Sequence, residues 1–123
     1  MEVKSFKKKE IIFEQGAYES FMYDIRWGRV GIYENYGKKD QRLLRELDAD
    51  DIFGEMGLVE ARPRSATAVS LEKGTQCVLI TADDFSAYFK DKPAKIISIM
   101  QRMSQRIRDL SDEVARLSDT NKR

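Results

Sequence analysis

Apolar and polar residues alternate along short segments in the first two-thirds of the chain, and glycine-containing turns separate these segments. Phe21–Trp27 places aromatic and apolar side chains at odd positions, with Asp24 and Arg26 between them. The loop at 35–39 contains Asn and Gly, which tolerate positive φ and fit a hairpin. Short strands at this spacing predict a compact antiparallel sandwich or barrel. The predicted strands are Val3–Lys8, Glu10–Phe13, Phe21–Trp27, Arg29–Glu34, Gln41–Leu47, Ala66–Leu71 and Gln76–Thr81.

The last quarter of the chain changes to a helical period. Thr81 and the acidic residues after it fit a helix N-terminus, and Pro93 ends this short helix and opens a longer one. The apolar positions of the longer helix are spaced alternately four and three residues apart, at Ile96, Met100, Met103, Ile107, Leu110, Val114 and Leu117. This heptad pattern favours a parallel two-stranded coiled coil, so we expect a homodimer through the seam Met103–Leu117. The alternative is that the stripe packs only on the chain's own strands.

Charge and hydropathy narrow the classes of partner. The 123 residues carry a formal net charge of +1, which argues against general attraction to nucleic acid. The run Lys7–Lys9 is interpreted as a solvated strand edge whose lysines oppose edge pairing. No apolar run approaches the roughly 20 residues of a membrane-spanning helix, and the N-terminus has no apolar signal region. We therefore expect a cytoplasmic protein with neither a membrane nor a nucleic-acid partner.

The absence of histidine argues against an enzyme. Imidazole is a frequent general base and the commonest transition-metal ligand, so we expect no catalysis, no metal and no cofactor. The enzymatic alternative is a metal oxygenase on a double-stranded β-helix scaffold, which would need histidine ligands. Cys77, the single cysteine, cannot form an internal disulfide and lies in an apolar strand, which predicts a buried structural thiol.

The segment Ile52–Thr67 combines the features of an anion-binding turn. Two glycines permit close backbone approach, and amides at the start of a short helical piece would point at an anion. Arg64 supplies a permanent positive charge and a planar donor fork suited to phosphate, with the Ser65 hydroxyl beside it. Glu55 would repel a phosphate, but its carboxylate accepts hydrogen bonds from a sugar hydroxyl. A ligand with an anion at one end and a sugar hydroxyl at the other is a nucleotide.

The sequence Phe-Gly-Glu-Met-Gly-Leu at 53–58, followed by Pro-Arg-Ser-Ala-Thr at 63–67, resembles the phosphate-binding cassette of the cyclic-nucleotide-binding domain family. Ile12–Gly16 and Met22–Val30 are similar to the opening strands of that family, and the likeness covers roughly Glu10–Leu117. The resemblance implies a mainly β fold: a double-stranded β-helix, or jelly-roll-like β-roll, over 1–92 with the cassette at 52–67. A short helix and a long amphipathic C-terminal helix over 93–118 would complete it. The implied function is regulatory signal transduction through binding of a cyclic nucleotide, with cAMP expected first.

The resemblance also implies roles for single residues. Gly54, Glu55 and Gly57 would line the ribose and the cyclic phosphate, with Glu55 on the 2′-hydroxyl. Arg64 would pair with the charged exocyclic phosphate oxygen, and Ser65 would bond the phosphate too. The other expected ligand contacts are Met56 and Ala66 in the cassette, Ile32 and Leu44 against the purine, Arg106 toward the cassette glutamate, and Leu110 in the lid over the base.

Three alternatives remain open at this stage. The hydroxyl of Ser65 would also suit a guanine amino group, so a cGMP preference competes with cAMP. The chain would also fit a dimerisation module whose pocket is unoccupied. Because only a few residues follow Leu117, with none of the helix-turn-helix domain of catabolite-activator-like regulators, we expect either a free-standing sensor or a piece of a larger protein.

Overall fold

The computed structural model describes residues 1–55 and 62–121, and the chain divides into two compact units, residues 1–88 and 89–123. The strands of the first unit are β1 (Glu2–Phe6), β2 (Ile11–Phe13), β3 (Phe21–Trp27), β4 (Val30–Glu34), β5 (Arg42–Leu47), β6 (Ile52–Phe53), β7 (Thr67–Ser70) and β8 (Thr75–Thr81). The helices are α1 (Phe85–Phe89), which reaches the boundary between the units, and α2 (Pro93–Asn121) in the second unit.

The strands form two four-stranded sheets, in the orders β1-β8-β3-β6 and β2-β7-β4-β5. Every strand pairing within residues 1–55 and 62–121 is antiparallel, as expected for short strands joined by tight turns. Two antiparallel sheets followed by helices confirm the predicted fold class. Alternation sets which side chains face the core: Val30 and Ile32 of β4 are buried in it, together with Ile25 of β3 and Ala68 of β7.

Aromatic rings fill the part of the core near β6. The rings of Tyr23 and Phe53 stack at 4.9 Å between centroids, and Phe13 lies 5.7 Å and 5.9 Å from them. Cys77 is fully buried in the same cluster, and burial raises the pKa of its thiol from 9.0 to about 12. The prediction of a buried structural thiol is therefore confirmed.

The lysine run lies in a turn and not along a strand edge. β1 ends at Phe6, two residues before its predicted end, and Lys9 adopts a positive φ of 68°. The carbonyl of Lys7 accepts a hydrogen bond from the N–H of Glu10 at 3.1 Å, which closes a tight reversal. The interpretation of this run as a strand edge was wrong, because the left-handed residue reverses the chain before a ladder can continue.

The second unit is dominated by the 29-residue helix α2. Its periodic apolar residues from Met100 onward include five that are exposed, by 54–65%: Met100, Ile107, Leu110, Val114 and Leu117. The long amphipathic helix predicted from the spacing is present. Of the helices in the described ranges, none combines the length and apolar character needed to cross a bilayer.

Candidate functional site

The loop between β6 and β7 is anchored at Arg64 by the loop that follows β2. The Arg64 N–H donates to the carbonyl of Ala17 at 2.8 Å, and the Arg64 carbonyl accepts from the N–H of Gly16 at 2.7 Å. At the other end of the loop, Gly54 follows β6 with a φ of +74°, a left-handed conformation that glycine adopts without a Cβ clash. Backbone hydrogen bonds thus hold the Arg64 end of this loop against the loop that follows β2.

The side chain of Arg64 turns into the protein and is only 6% exposed. Its Nη1 donates to the carbonyl of Gly54 at 2.7 Å, so it ties the two ends of the loop together. Its Nη2 donates to the carbonyl of Phe21 at 2.6 Å and to Glu19 Oε1 at 3.2 Å. One carboxylate and two carbonyl dipoles therefore compensate the buried positive charge, as burial of a cation requires.

One buried nitrogen of this guanidinium has no acceptor. The Nε of Arg64 is buried and has no hydrogen-bond acceptor among the described residues. The guanidinium carbon lies 4.3 Å from the ring centroid of Phe13, within cation–π range. Leaving a buried donor unsatisfied costs about 1–3 kcal/mol, and folded proteins rarely tolerate it without a reason. The Nε–H is therefore a buried donor that suits an anionic acceptor.

Glu19 links this guanidinium to β3. Its Oε1 also accepts a hydrogen bond from the Tyr23 hydroxyl at 3.1 Å. Burial raises the pKa of Tyr23 far above its ordinary value, and the carboxylate of Glu19 raises it further. The hydroxyl consequently stays protonated and keeps donating to Glu19. Sequence reasoning missed both residues, because an acid in a loop four positions before a strand tyrosine has no distinctive pattern.

The remaining cassette residues differ in exposure. Glu55 follows Gly54 directly and is 4% exposed, whereas Ser65 is exposed beside Arg64. Ala66 is buried in the core cluster that also contains Ile32. The structure therefore brings Gly54 and Arg64 into direct contact and keeps Glu55, Ser65 and Ala66 beside them in the chain. The predicted ligand residues Met56 and Gly57 lie outside the described residues.

The residues expected against the base occupy both units. Ile32 is buried in β4, and Leu44 is 43% exposed at a β-bulge in β5, where the register shifts from Arg45 to Leu43. Arg106 and Leu110 are exposed side chains of α2 in the second unit. Their approach to the cassette stays a prediction.

A separate cavity of about 300 Å³ lies in the first unit. Its lining residues are Ile11, Glu14, Gln15, Asn35, Tyr36, Lys38 and Thr67, none of which is a predicted ligand residue. Several of its polar groups already bind one another: Gln15 N–H donates to Thr67 Oγ1, and Asn35 N–H donates to Gln15 Oε1, both at 2.9 Å. Within the described residues, no group of three or more candidate metal ligands occurs.

Comparison with known proteins shows which protein family the chain resembles. Residues 3–92 match the family model described as the cyclic nucleotide-binding domain. The cyclic AMP receptor protein of Thermus thermophilus is 28% identical over 107 residues, which cover 87% of this chain and 49% of that protein. A cGMP-dependent protein kinase of Plasmodium berghei is 35% identical over 78 residues, which cover 63% of this chain and 8% of the kinase.

Structural comparison agrees with this match. The crystal structure of the Thermus thermophilus catabolite activator protein is similar with a TM-score of 0.77 at 26% identity, covering 95% of this chain and 55% of that chain. The present chain thus spans about half the length of the bacterial relatives that it resembles.

Proposed function

Because this chain belongs to the cyclic nucleotide-binding domain family, we propose that it binds cAMP at the loop that carries Glu55, Arg64 and Ser65. The observation that carries the proposal is the buried guanidinium of Arg64 with its unpaired Nε. A permanently charged, planar and pre-positioned donor is what a buried phosphodiester requires. Its position is already held by backbone acceptors, so little ordering is left for the ligand to impose.

The geometry of the guanidinium supports a specific exchange. The Nε–H and one Nη–H of an arginine point the same way and together match two oxygens of a phosphate. The contact to Glu19, at 3.2 Å, is the longest of the three that Arg64 Nη2 and Nη1 make. In the proposed complex the phosphate accepts from Nε and displaces Glu19 from Nη2. The carbonyls of Gly54 and Phe21 keep the guanidinium in place.

The substitution Glu19→Gln tests whether the phosphate displaces Glu19 from Arg64. Removing the competing negative charge while keeping an acceptor for Tyr23 is expected to tighten cAMP binding by up to about fivefold, the size of one partly exposed ion pair. Titration calorimetry at fixed ionic strength measures it. Weaker binding would show that the carboxylate assists the ligand and that the exchange does not occur.

The other ligand contacts are proposed from the same family relationship. Glu55 accepts a hydrogen bond from the ribose 2′-hydroxyl, and Ser65 binds the phosphate. Backbone and side-chain contacts to the nucleotide come from Gly54, Met56, Gly57 and Ala66, contacts to the purine from Ile32 and Leu44, and the lid contacts from Arg106 and Leu110.

The preference for cAMP over cGMP is the finer part of the proposal. Similarity to a cyclic AMP receptor protein extends over 87% of this chain, and similarity to a cGMP-dependent kinase over 63%. Calorimetric titration with cAMP, cGMP and linear AMP separates the possibilities. We expect cAMP to bind most tightly and AMP most weakly. Equal binding of AMP would refute recognition of a cyclised phosphate. If the protein instead prefers cGMP, and if Ser65→Ala abolishes that preference, the ligand is cGMP, recognised through the Ser65 hydroxyl.

A second proposal concerns the helix α2. Its exposed apolar residues at heptad spacing support a parallel homodimer through Met103–Leu117. If cAMP binds one dimer arrangement better than the other, dimerisation and ligand affinity are coupled, and the coupling acts equally in both directions. Sedimentation velocity with and without cAMP tests this. A dimer whose equilibrium ignores the nucleotide would instead favour a dimerisation module. The cytoplasmic location and the absence of catalysis stay predictions.

A further inference from the structure

Three chain reversals meet at one end of the first unit and carry four lysines and a tryptophan. The turns are the β1–β2 turn with Lys7, Lys8 and Lys9, the β3–β4 turn, which Trp27 at the end of β3 precedes, and the β7–β8 turn with Lys73. We call this group of five residues the lysine tip. All five side chains are exposed, Trp27 by 54%. Trp27 is also the only tryptophan of the chain.

Backbone hydrogen bonds hold the three turns together. The N–H of Gly74 donates to the carbonyl of Phe6 at 2.9 Å, and the N–H of Lys9 donates to the carbonyl of Ser70 at 2.7 Å. The indole carbon Cζ3 of Trp27 lies 3.7 Å from the position that a Cβ would take at Gly74. The indole therefore lies over the β7–β8 turn at Gly74, which is next in the chain to Lys73.

The charges of the tip are available to a partner. No ion pair among the described residues involves an ammonium group of the lysine tip. Of the carboxylates at this end of the unit, Glu72 binds Arg29 at 2.8 Å. The β5–β6 turn also brings aspartates toward this end of β3, since the N–H of Asp50 donates to the carbonyl of Ile25 at 2.7 Å. Glu10 accepts the backbone N–H of Lys7 at 2.9 Å. The backbone of Lys9 is left-handed, with a φ of 68°, a conformation that glycine adopts with less strain than lysine does.

We propose that the lysine tip binds the surface of a membrane that contains anionic phospholipids. Lysines attract the negative surface of such membranes, and tryptophan partitions to the headgroup region. A single exposed indole among lysines fits that interface better than single-stranded nucleic acid, whose binders line up several rings for successive bases. The absence of a membrane-spanning segment, on which the sequence-based expectation rested, does not bear on binding at the surface.

The lysine tip lies far from the proposed nucleotide site, so the two functions can be tested independently. Phe21, whose carbonyl binds Arg64, and Trp27 are the two ends of the seven-residue strand β3, about 20 Å apart at the rise of a strand. Charge changes at the tip should therefore leave cAMP binding unchanged, whatever the cAMP titration itself shows.

The test uses the intrinsic fluorescence of Trp27 with the full chain. Vesicles of phosphatidylcholine with phosphatidylserine are expected to shift its emission to the blue and to sediment the protein, whereas pure phosphatidylcholine and high salt abolish both effects. The double variant Lys8→Gln with Lys73→Gln should lower the partition coefficient about 30-fold. The charge-matched control Lys38→Gln with Lys39→Gln, in the β4–β5 loop, should change it less than threefold.

Three outcomes would overturn the proposal. The first is an unshifted emission with anionic vesicles. The second is an equal loss in the tip and control variants, which would reflect net charge only. The third is an emission change with a single-stranded oligonucleotide but none with vesicles, which would assign the surface to nucleic acid. Trp27→Phe, followed by sedimentation, checks that the indole contributes: we expect weaker binding with the salt dependence retained.

Discussion

Replacing Arg64 by alanine removes a buried guanidinium together with three hydrogen bonds, so it perturbs both ligand binding and folding. For the ligand, a buried phosphate left without its charged partner loses about 2–5 kcal/mol. This corresponds to a rise of Kd for cAMP by about 30-fold to several thousandfold. For the fold, the carbonyls of Gly54 and Phe21 lose a charged donor. Hydrogen bonds to charged groups are each worth about 1.5–3 kcal/mol, and Glu19 remains partly hydrated.

We therefore expect Arg64→Ala to lower the free energy of unfolding by about 2 kcal/mol and Tm by about 10 °C. The two effects are separated by measuring thermal unfolding first and then titrating cAMP by calorimetry at a temperature where the variant is folded. Arg62→Ala, an exposed arginine of the same loop, is the control for charge. Arg64→Lys retains the charge without the planar fork and should bind with intermediate affinity.

A folded Arg64→Ala variant that binds cAMP within threefold of the parent chain would refute the reasoning. The same holds if Arg62→Ala reduced affinity as strongly as Arg64→Ala, because the effect would then come from general electrostatics of the loop. A variant that lost binding but kept its full stability would contradict the hydrogen bonds that enclose the guanidinium.

Further predictions concern the loop, the core and the helix. Gly54→Ala should cost about 1–2 kcal/mol more than Gly37→Ala by urea unfolding, because both glycines have positive φ but an added Cβ is crowded only at Gly54, 3.0 Å from a guanidinium nitrogen. The Cys77 thiol should resist alkylation until the protein unfolds. Since its folded pKa is raised to about 12, its stabilising effect is complete below pH 9 and is lost toward pH 12 at about 1.4 kcal/mol per pH unit. The pH dependence should shrink in Cys77→Ala. Leu110→Glu should weaken the proposed dimer at least tenfold in sedimentation velocity, and Gln105→Glu, outside the seam, should not.

The sequence by itself determined the class of fold and the family. Alternation in Phe21–Trp27 and glycine-containing turns predicted antiparallel strands, and the 4-3 spacing predicted the long helix. Both kinds of element were confirmed. The burial in β3 does not alternate, however, because both faces are covered from Met22 to Ile25, so Asp24 is buried and Trp27 is exposed. The cassette residues at 53–58 and 63–67 predicted the family that residues 3–92 match. The two-residue strand β6 was missed, since a period cannot be recognised over Ile52–Phe53.

Only the tertiary structure decided what surrounds Arg64. Its partners Glu19 and Phe21 lie 45 and 43 positions earlier in the chain, and two of its three acceptors are backbone carbonyls, which every residue carries and no sequence pattern identifies. The lysine tip also depends on the tertiary structure. Its turns are separated by up to 66 positions, from Lys7 to Lys73, and the pairing of the strands brings them together. Periodicity describes each element by itself, whereas a site depends on which loops the sheets place side by side.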